Sequence, residues 1–132
     1  MANRSFHPPA GNLELDVVNL FGTITVGASG AVTTGVGKGI ASVVKESAAG
    51  QYTITLSDTY NTLLMANFML LDGTDESPAT VGTHMRLNSQ AVSNATPTLV
   101  LQCYAGDDGA DANPADGAVI YFQVVLRNSS VS

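Results

Sequence analysis

The chain has 132 residues, a length that fits one domain able to bury a core without disulfide staples. Hydrophobic residues make up 45% and charged residues only 12%, about half the usual share, and the net charge is −6. The five basic residues are scattered as Arg4, Lys38, Lys45, Arg86 and Arg127, so no basic stripe exists, and nucleic acid and anionic membrane are poor partners.

A surface so poor in charge is covered by Thr, Ser, Asn, Gly and Ala, or by another subunit. The start of the chain, Met-Ala-Asn-Arg-Ser-Phe-His-Pro-Pro, lacks the apolar run of a signal peptide, and no stretch approaches the ~18 apolar residues of a membrane span. A single cysteine, Cys103, excludes an internal disulfide and suits production in a reducing cytoplasm. The expectation is a soluble product made in the cytoplasm.

Residues 1–12 hold Arg4, Phe6, His7, Pro8 and Pro9 and close on Gly11-Asn12. Two prolines forbid helix and discourage ladder pairing. The segment reads as an extended arm: either a frayed terminus or a strap lying on a neighbouring subunit with Phe6 as its anchor. A sandwich domain is expected over residues 13–132.

Along 13–26, Leu13, Leu15 and Val17 alternate with Glu14 and Asp16. After Gly22, Ile24 and Val26 alternate with Thr23 and Thr25. A glycine inside a strand pattern points to a bulge or bend. Gly27-Ala-Ser-Gly30 is a turn, and 31–34 a short returning strand. Gly35-Val-Gly-Lys-Gly39 fails as a phosphate loop, because Val32 and Gly39 occupy the places that need Gly and Ser or Thr.

Residues 40–57 carry the clearest signal. Tyr52, Ile54 and Leu56 fall on one side, and Gln51, Thr53, Thr55 and Ser57 on the other, the period of a strand with one buried face. Ile40 to Lys45 is strand-like too, and Glu46-Ser-Ala-Ala-Gly50 between them supplies a glycine for a left-handed loop position. This is an antiparallel hairpin, and it sets the class of the whole chain.

Ser57 or Asp58 can cap a helix, and Tyr60, Leu63 and Leu64 recur at helical spacing, so 59–65 is expected to make one or two helical turns. Strands follow at 66–71, 80–87, 98–104 and 118–126, separated by a polar loop to Pro78, a turn-rich stretch at 88–97 and an acidic loop at 107–116. The last strand, Ala-Val-Ile-Tyr-Phe-Gln-Val-Val-Leu, barely alternates, so both faces are buried or one meets a partner. An oligomer interface is the expectation. The whole reads as all-β: a single antiparallel β-sandwich or jelly-roll-like domain with an extended arm and at most one short helix.

Chemistry is sparse. His7 and His84 have no companion at metal-ligand spacing. Cys103 lies in an apolar strand pattern, as a small buried hydrophobe does. No nucleophile elbow and no cofactor fingerprint is present. Asp107, Asp108, Asp111 and Asp116, and separately Asp72, Asp75 and Glu76, are acidic clusters without the ligand order of a calcium loop. Neither an enzyme nor a metal protein is expected.

Two stretches resemble a known class. Gly37-Lys-Gly-Ile-Ala-Ser-Val-Val with Gly50-Gln-Tyr-Thr-Ile-Thr-Leu-Ser-Asp-Thr-Tyr-Asn-Thr-Leu-Leu, and Gly117-Ala-Val-Ile-Tyr-Phe-Gln-Val-Val-Leu-Arg-Asn-Ser-Ser-Val, are similar to small head-decoration (cement) proteins of tailed bacteriophages. The resemblance implies a β-sandwich that assembles, often as a homotrimer, on the outer surface of the virion head and binds the major capsid protein. It carries over no catalytic residue. On that reading Arg4, Phe6, His7, Pro8 and Pro9 contact the shell, and Tyr121, Phe122 and Val124 are buried in the trimer or core. Because similar hairpins occur in phage fibre domains, a tail, baseplate or fibre component, contacting host glycan through loops, is the alternative. The absence of tryptophan counts against glycan stacking.

Overall fold

The structure, a computed structural model of the chain, describes residues 17–71, 83–106 and 109–128. They form eight strands: β1 (Val17–Val26), β2 (Val32–Gly37), β3 (Ile40–Lys45), β4 (Gln51–Leu56), β5 (Thr62–Leu71), β6 (Thr83–Ala91), β7 (Thr98–Ala105) and β8 (Val119–Arg127). The only helical feature among the described residues is a 3-10 turn at Ala28–Gly30.

The strands divide into two four-stranded sheets. The first, sheet A, runs β2-β1-β8-β5, and the second, sheet B, runs β3-β4-β7-β6, with every neighbouring pair antiparallel. Three hairpins (β1-β2, β3-β4, β6-β7) stay within one sheet, and the other connections pass between sheets. This is an all-β sandwich.

Alternation builds the core. Leu20, Ile24 and Val26 of β1 and Ile120, Phe122, Val124 and Leu126 of β8 face inward from sheet A. Tyr52, Ile54 and Leu56 of β4 and Leu99, Leu101 and Cys103 of β7 meet them from sheet B. Each fully buried side chain of this size contributes roughly 1.5–3 kcal/mol of transfer free energy.

The hairpin forms as its period-two pattern requires, with Val43 opposite Ile54 and Lys45 opposite Tyr52. Its loop closes on Gly50 at φ +69°, where a β-carbon would also run into the Ala112 and Cys103 carbonyls. Gly50 N–H donates to Asn113 Oδ1 (2.7 Å), and Cys103 N–H donates to the Gly50 carbonyl (2.9 Å). Tyr52 Oη donates to the Gly30 carbonyl at 2.7 Å in the buried interior. These bonds tie the β1-β2 turn, the β3-β4 loop and the segment before β8 into one end of the sandwich.

Several expectations are corrected. Residues 59–65 are not helical: Tyr60 N–H donates to Val92 O (2.9 Å) just beyond β6 and Asn61 N–H to Arg127 O (3.0 Å) of β8, so neither amide bonds within a helical turn, and β5 begins at Thr62. The helical spacing of Tyr60, Leu63 and Leu64 has another cause, a buried Tyr60 ahead of the strand and a register shift between Leu63 and Met65. Gly22 makes no bulge. β1 stays in register with β8 from Val17↔Arg127 to Thr25↔Val119, and Val18, not Val17, packs toward the core. β2 extends to Gly37, and β6 continues through Ala91 past a register shift at Leu87/Ser89. β8 does alternate, with Ile120, Phe122, Val124 and Leu126 inside and Tyr121 outside. It looked uniform because its outward residues Val119, Tyr121 and Val125 are apolar as well.

Candidate interaction surface

The outward face of sheet A is where this protein departs most from an ordinary soluble surface. Strand register lines up Val36, Thr23, Tyr121 and Met69 across all four strands. The next row toward the β5 C-terminus is Thr34, Thr25, Val119 and Leu71. The rows on the other side are Phe21, Gln123 and Asn67, then Asn19, Val125 and Met65. From the Asn19 row to the Leu71 row no charged side chain occurs.

Phe21 is 62% exposed, Met69 65% and Tyr121 41%, and Val36 and Leu71 are exposed as well. Phe21, Val36, Met69 and Tyr121, with Gln123, Asn67 and the side-chain-free Gly22 and Gly37, line an open groove of about 540 Å³, and Leu71 stands in the adjacent row. The exposed parts of these five apolar side chains amount to on the order of 600 Å², the upper end for an ordinary monomer and not far below the ~800 Å² each partner gives to a standard interface.

Sheet B presents the opposite chemistry. Polar side chains of β4 and β7 bond to one another and to the β3-β4 loop: Thr53 Oγ1 donates to Glu46 Oε1 (2.6 Å), Gln51 Nε2 to Oε1 of the buried Gln102 (3.4 Å), and Gln102 Nε2 to the Ala49 carbonyl (2.8 Å). Arg86 lies over the Tyr104 ring, Cζ 4.6 Å from its centroid. Exposed acids sit at the ends of the sandwich, with Asp58 at one end and Asp111 and Asp116 at the other.

Of the residues singled out in the sequence, Phe122 and Val124 lie in the core, while Tyr121 stands at the centre of the outer face of sheet A. Arg4, Phe6, His7, Pro8 and Pro9 lie outside the described residues, as do Asp72, Asp75, Glu76, Asp107 and Asp108. Among the described residues no group of three or more His, Cys, Asp or Glu side chains is placed to hold a metal ion. Cys103 is fully buried, and burial pushes its thiol up to about 12, far from the thiolate a nucleophile needs. Burial, with a smaller contribution from Cys103, also raises the Tyr52 phenol.

Phe21, Val36, Met69 and Leu71 had not been singled out. Phe21 occupies the outward parity of β1, beside Asn19, Thr23 and Thr25, and a large aromatic at a solvent-side position was the available signal. Compared with protein-family models, with curated proteins and with solved structures, the chain matches none.

Proposed function

We propose that this chain is a head-decoration (cement) protein of a tailed bacteriophage, binding the major capsid protein on the outer surface of the head and stabilising the shell. The observation that carries the reading is the uncharged, apolar outer face of sheet A, set against a sheet B whose outer side carries polar side chains, Gln51, Thr53 and Gln102, bonded to one another and to the β3-β4 loop. Such a face adheres by desolvation rather than by charge. Cement action needs no more than that: each bound copy adds interface across neighbouring shell subunits, and shell symmetry repeats a modest contact many times. The net charge of −6 suits the outside of a head better than its DNA-filled lumen. The sequence resemblance described above points the same way.

The test is binding of purified protein to phage heads that lack it, scored by co-sedimentation and by the temperature at which the heads release DNA. The native chain is expected to bind and to raise that temperature. A Phe21→Glu/Met69→Lys variant, changed only at exposed positions, is expected to fold and to lose binding by tenfold or more. Equal binding by the variant contradicts the use of this face, and no binding by the native chain contradicts the function.

A further inference from the structure

A different feature of sheet A speaks to how copies of the chain meet. Among the described residues the four edge strands of the sandwich are not alike. β2 is six residues long with two glycines, β3 is six residues long and ends in Lys45, and β6 carries Arg86 and a register shift at Leu87/Ser89. Short length, charge and bulging are the devices that keep a sheet edge from pairing with another chain. β5 has fewer of them. It is ten residues long, Thr-Leu-Leu-Met-Ala-Asn-Phe-Met-Leu-Leu, with no charge and no proline, and from Met65 to Leu71 its register with β8 is regular.

The sequence of β5 is also close to a palindrome about Asn67. Leu63 and Leu71, Leu64 and Leu70, and Met65 and Met69 match, and the one unlike pair is Ala66 with Phe68. Antiparallel self-pairing centred on Asn67 sets residues 65–69 of the two copies opposite one another; beyond Met65 the register shift turns Leu63 inward while Leu71 faces outward, so the outer leucines do not take part. On the outward side Met65 then faces Met69 of the second copy, and the two Asn67 amides meet on the axis. On the inward side the large Phe68 faces the small Ala66, so volumes alternate across the junction. Phe68 and Leu70, only half-buried at an edge that no other described strand pairs, although they pack on the core, gain cover. No charge enters the junction, so the net negative charge of each copy stays away from it.

We infer that this chain dimerises by antiparallel pairing of β5 with β5 of a second copy, on a two-fold axis through Asn67, joining two A sheets into one of eight strands. The contact is isologous, the same patch on both sides, and the match over residues 65–69 sets its register. The inference does not depend on the cement reading. A two-fold contact builds even-numbered assemblies, which separates it from the trimer implied by the sequence resemblance.

Sedimentation of the full-length protein in solution, without heads, tests it. The native chain is expected to run as a dimer. Met65→Lys/Met69→Lys sets like charges opposite each other across the axis and is expected to weaken association about 10- to 100-fold. Met65→Lys/Met69→Glu sets each new lysine opposite a new glutamate of the second copy and is expected to restore the dimer. Both positions are outward and at least half exposed, so the fold tolerates them. Asn67→Cys places a thiol on the axis, where either kind of antiparallel pair lies within disulfide reach, while native Cys103 is buried. Mild oxidation is expected to give a covalent dimer. A native monomer, a trimer indifferent to these substitutions, or an Asn67→Cys chain that stays uncrosslinked overturns the inference.

Discussion

The ring of Phe122 lies against Gly22, its partner across the β1-β8 ladder, so closely that no β-carbon fits between them. Phe122 also meets Phe68 of β5, their ring centroids 6.5 Å apart and tilted by 44°. One aromatic side chain thus fills the inner side of sheet A across three strands, and the glycine is what makes the space.

Gly22→Ala is therefore expected to destabilise the protein by about 1–3 kcal/mol through overpacking. Adding Phe122→Leu is expected to recover part of that loss, so the two substitutions couple. Urea denaturation of the two single variants and the double variant checks it; strictly additive effects would show that the ring does not occupy this space.

The bond from Tyr52 Oη to the Gly30 carbonyl joins the two sheets through the buried interior. Tyr52→Phe leaves that carbonyl unpaired and is expected to cost about 1–3 kcal/mol. Thermal or urea unfolding reads the loss, and hydrogen exchange at the amides of Gly27 and Ala31 should rise with it.

The hairpin at Ile40–Lys45 and Gln51–Leu56 was legible because its two faces differ in chemistry, so period two stands out over a few residues. β8 was harder, since Val119, Tyr121 and Val125 are apolar although they point outward. The start of β5 is masked in the sequence because a buried Tyr60 and the register shift after Leu63 imitate helical spacing. Of the outer face, only the apolar outward side of β8, with Tyr121, is legible locally. Phe21, Val36, Met69 and Tyr121 lie on four strands far apart in the chain and become neighbours only through the order β2-β1-β8-β5. Nothing local in the sequence encodes that order.

Alkaline pH is expected to unfold the protein through its buried acids. The Cys103 thiol titrates at about 12 in the folded state against 9.0 ordinarily, and burial raises Tyr52 and Tyr60 in the same direction. Between those two values the unfolded chain has released the thiol proton and the folded chain still holds it. Stability from this group is therefore complete below about pH 9 and declines as pH rises toward 12. Urea midpoints measured across that window check the slope. At neutral pH a thiol reagent is expected to label Cys103 only as fast as the protein opens, and rapid labelling of the native state would contradict the burial.

Removing residues 2–10, which include Arg4, Phe6, His7, Pro8 and Pro9, is expected to leave the sandwich folded, because its described core draws only on residues from Val18 onward. Attachment to heads is expected to weaken. A shortened chain with the native melting profile and native occupancy on heads would remove the arm from the account.

The central claim is that this protein works on the head. Disrupting purified virions, separating heads from tails and quantifying the chain in each fraction by mass spectrometry tests it most directly. The account predicts that nearly all of it stays with the heads, at a copy number comparable with that of the major capsid protein. Recovery with the tails in few copies per particle, or absence from the virion, would contradict it.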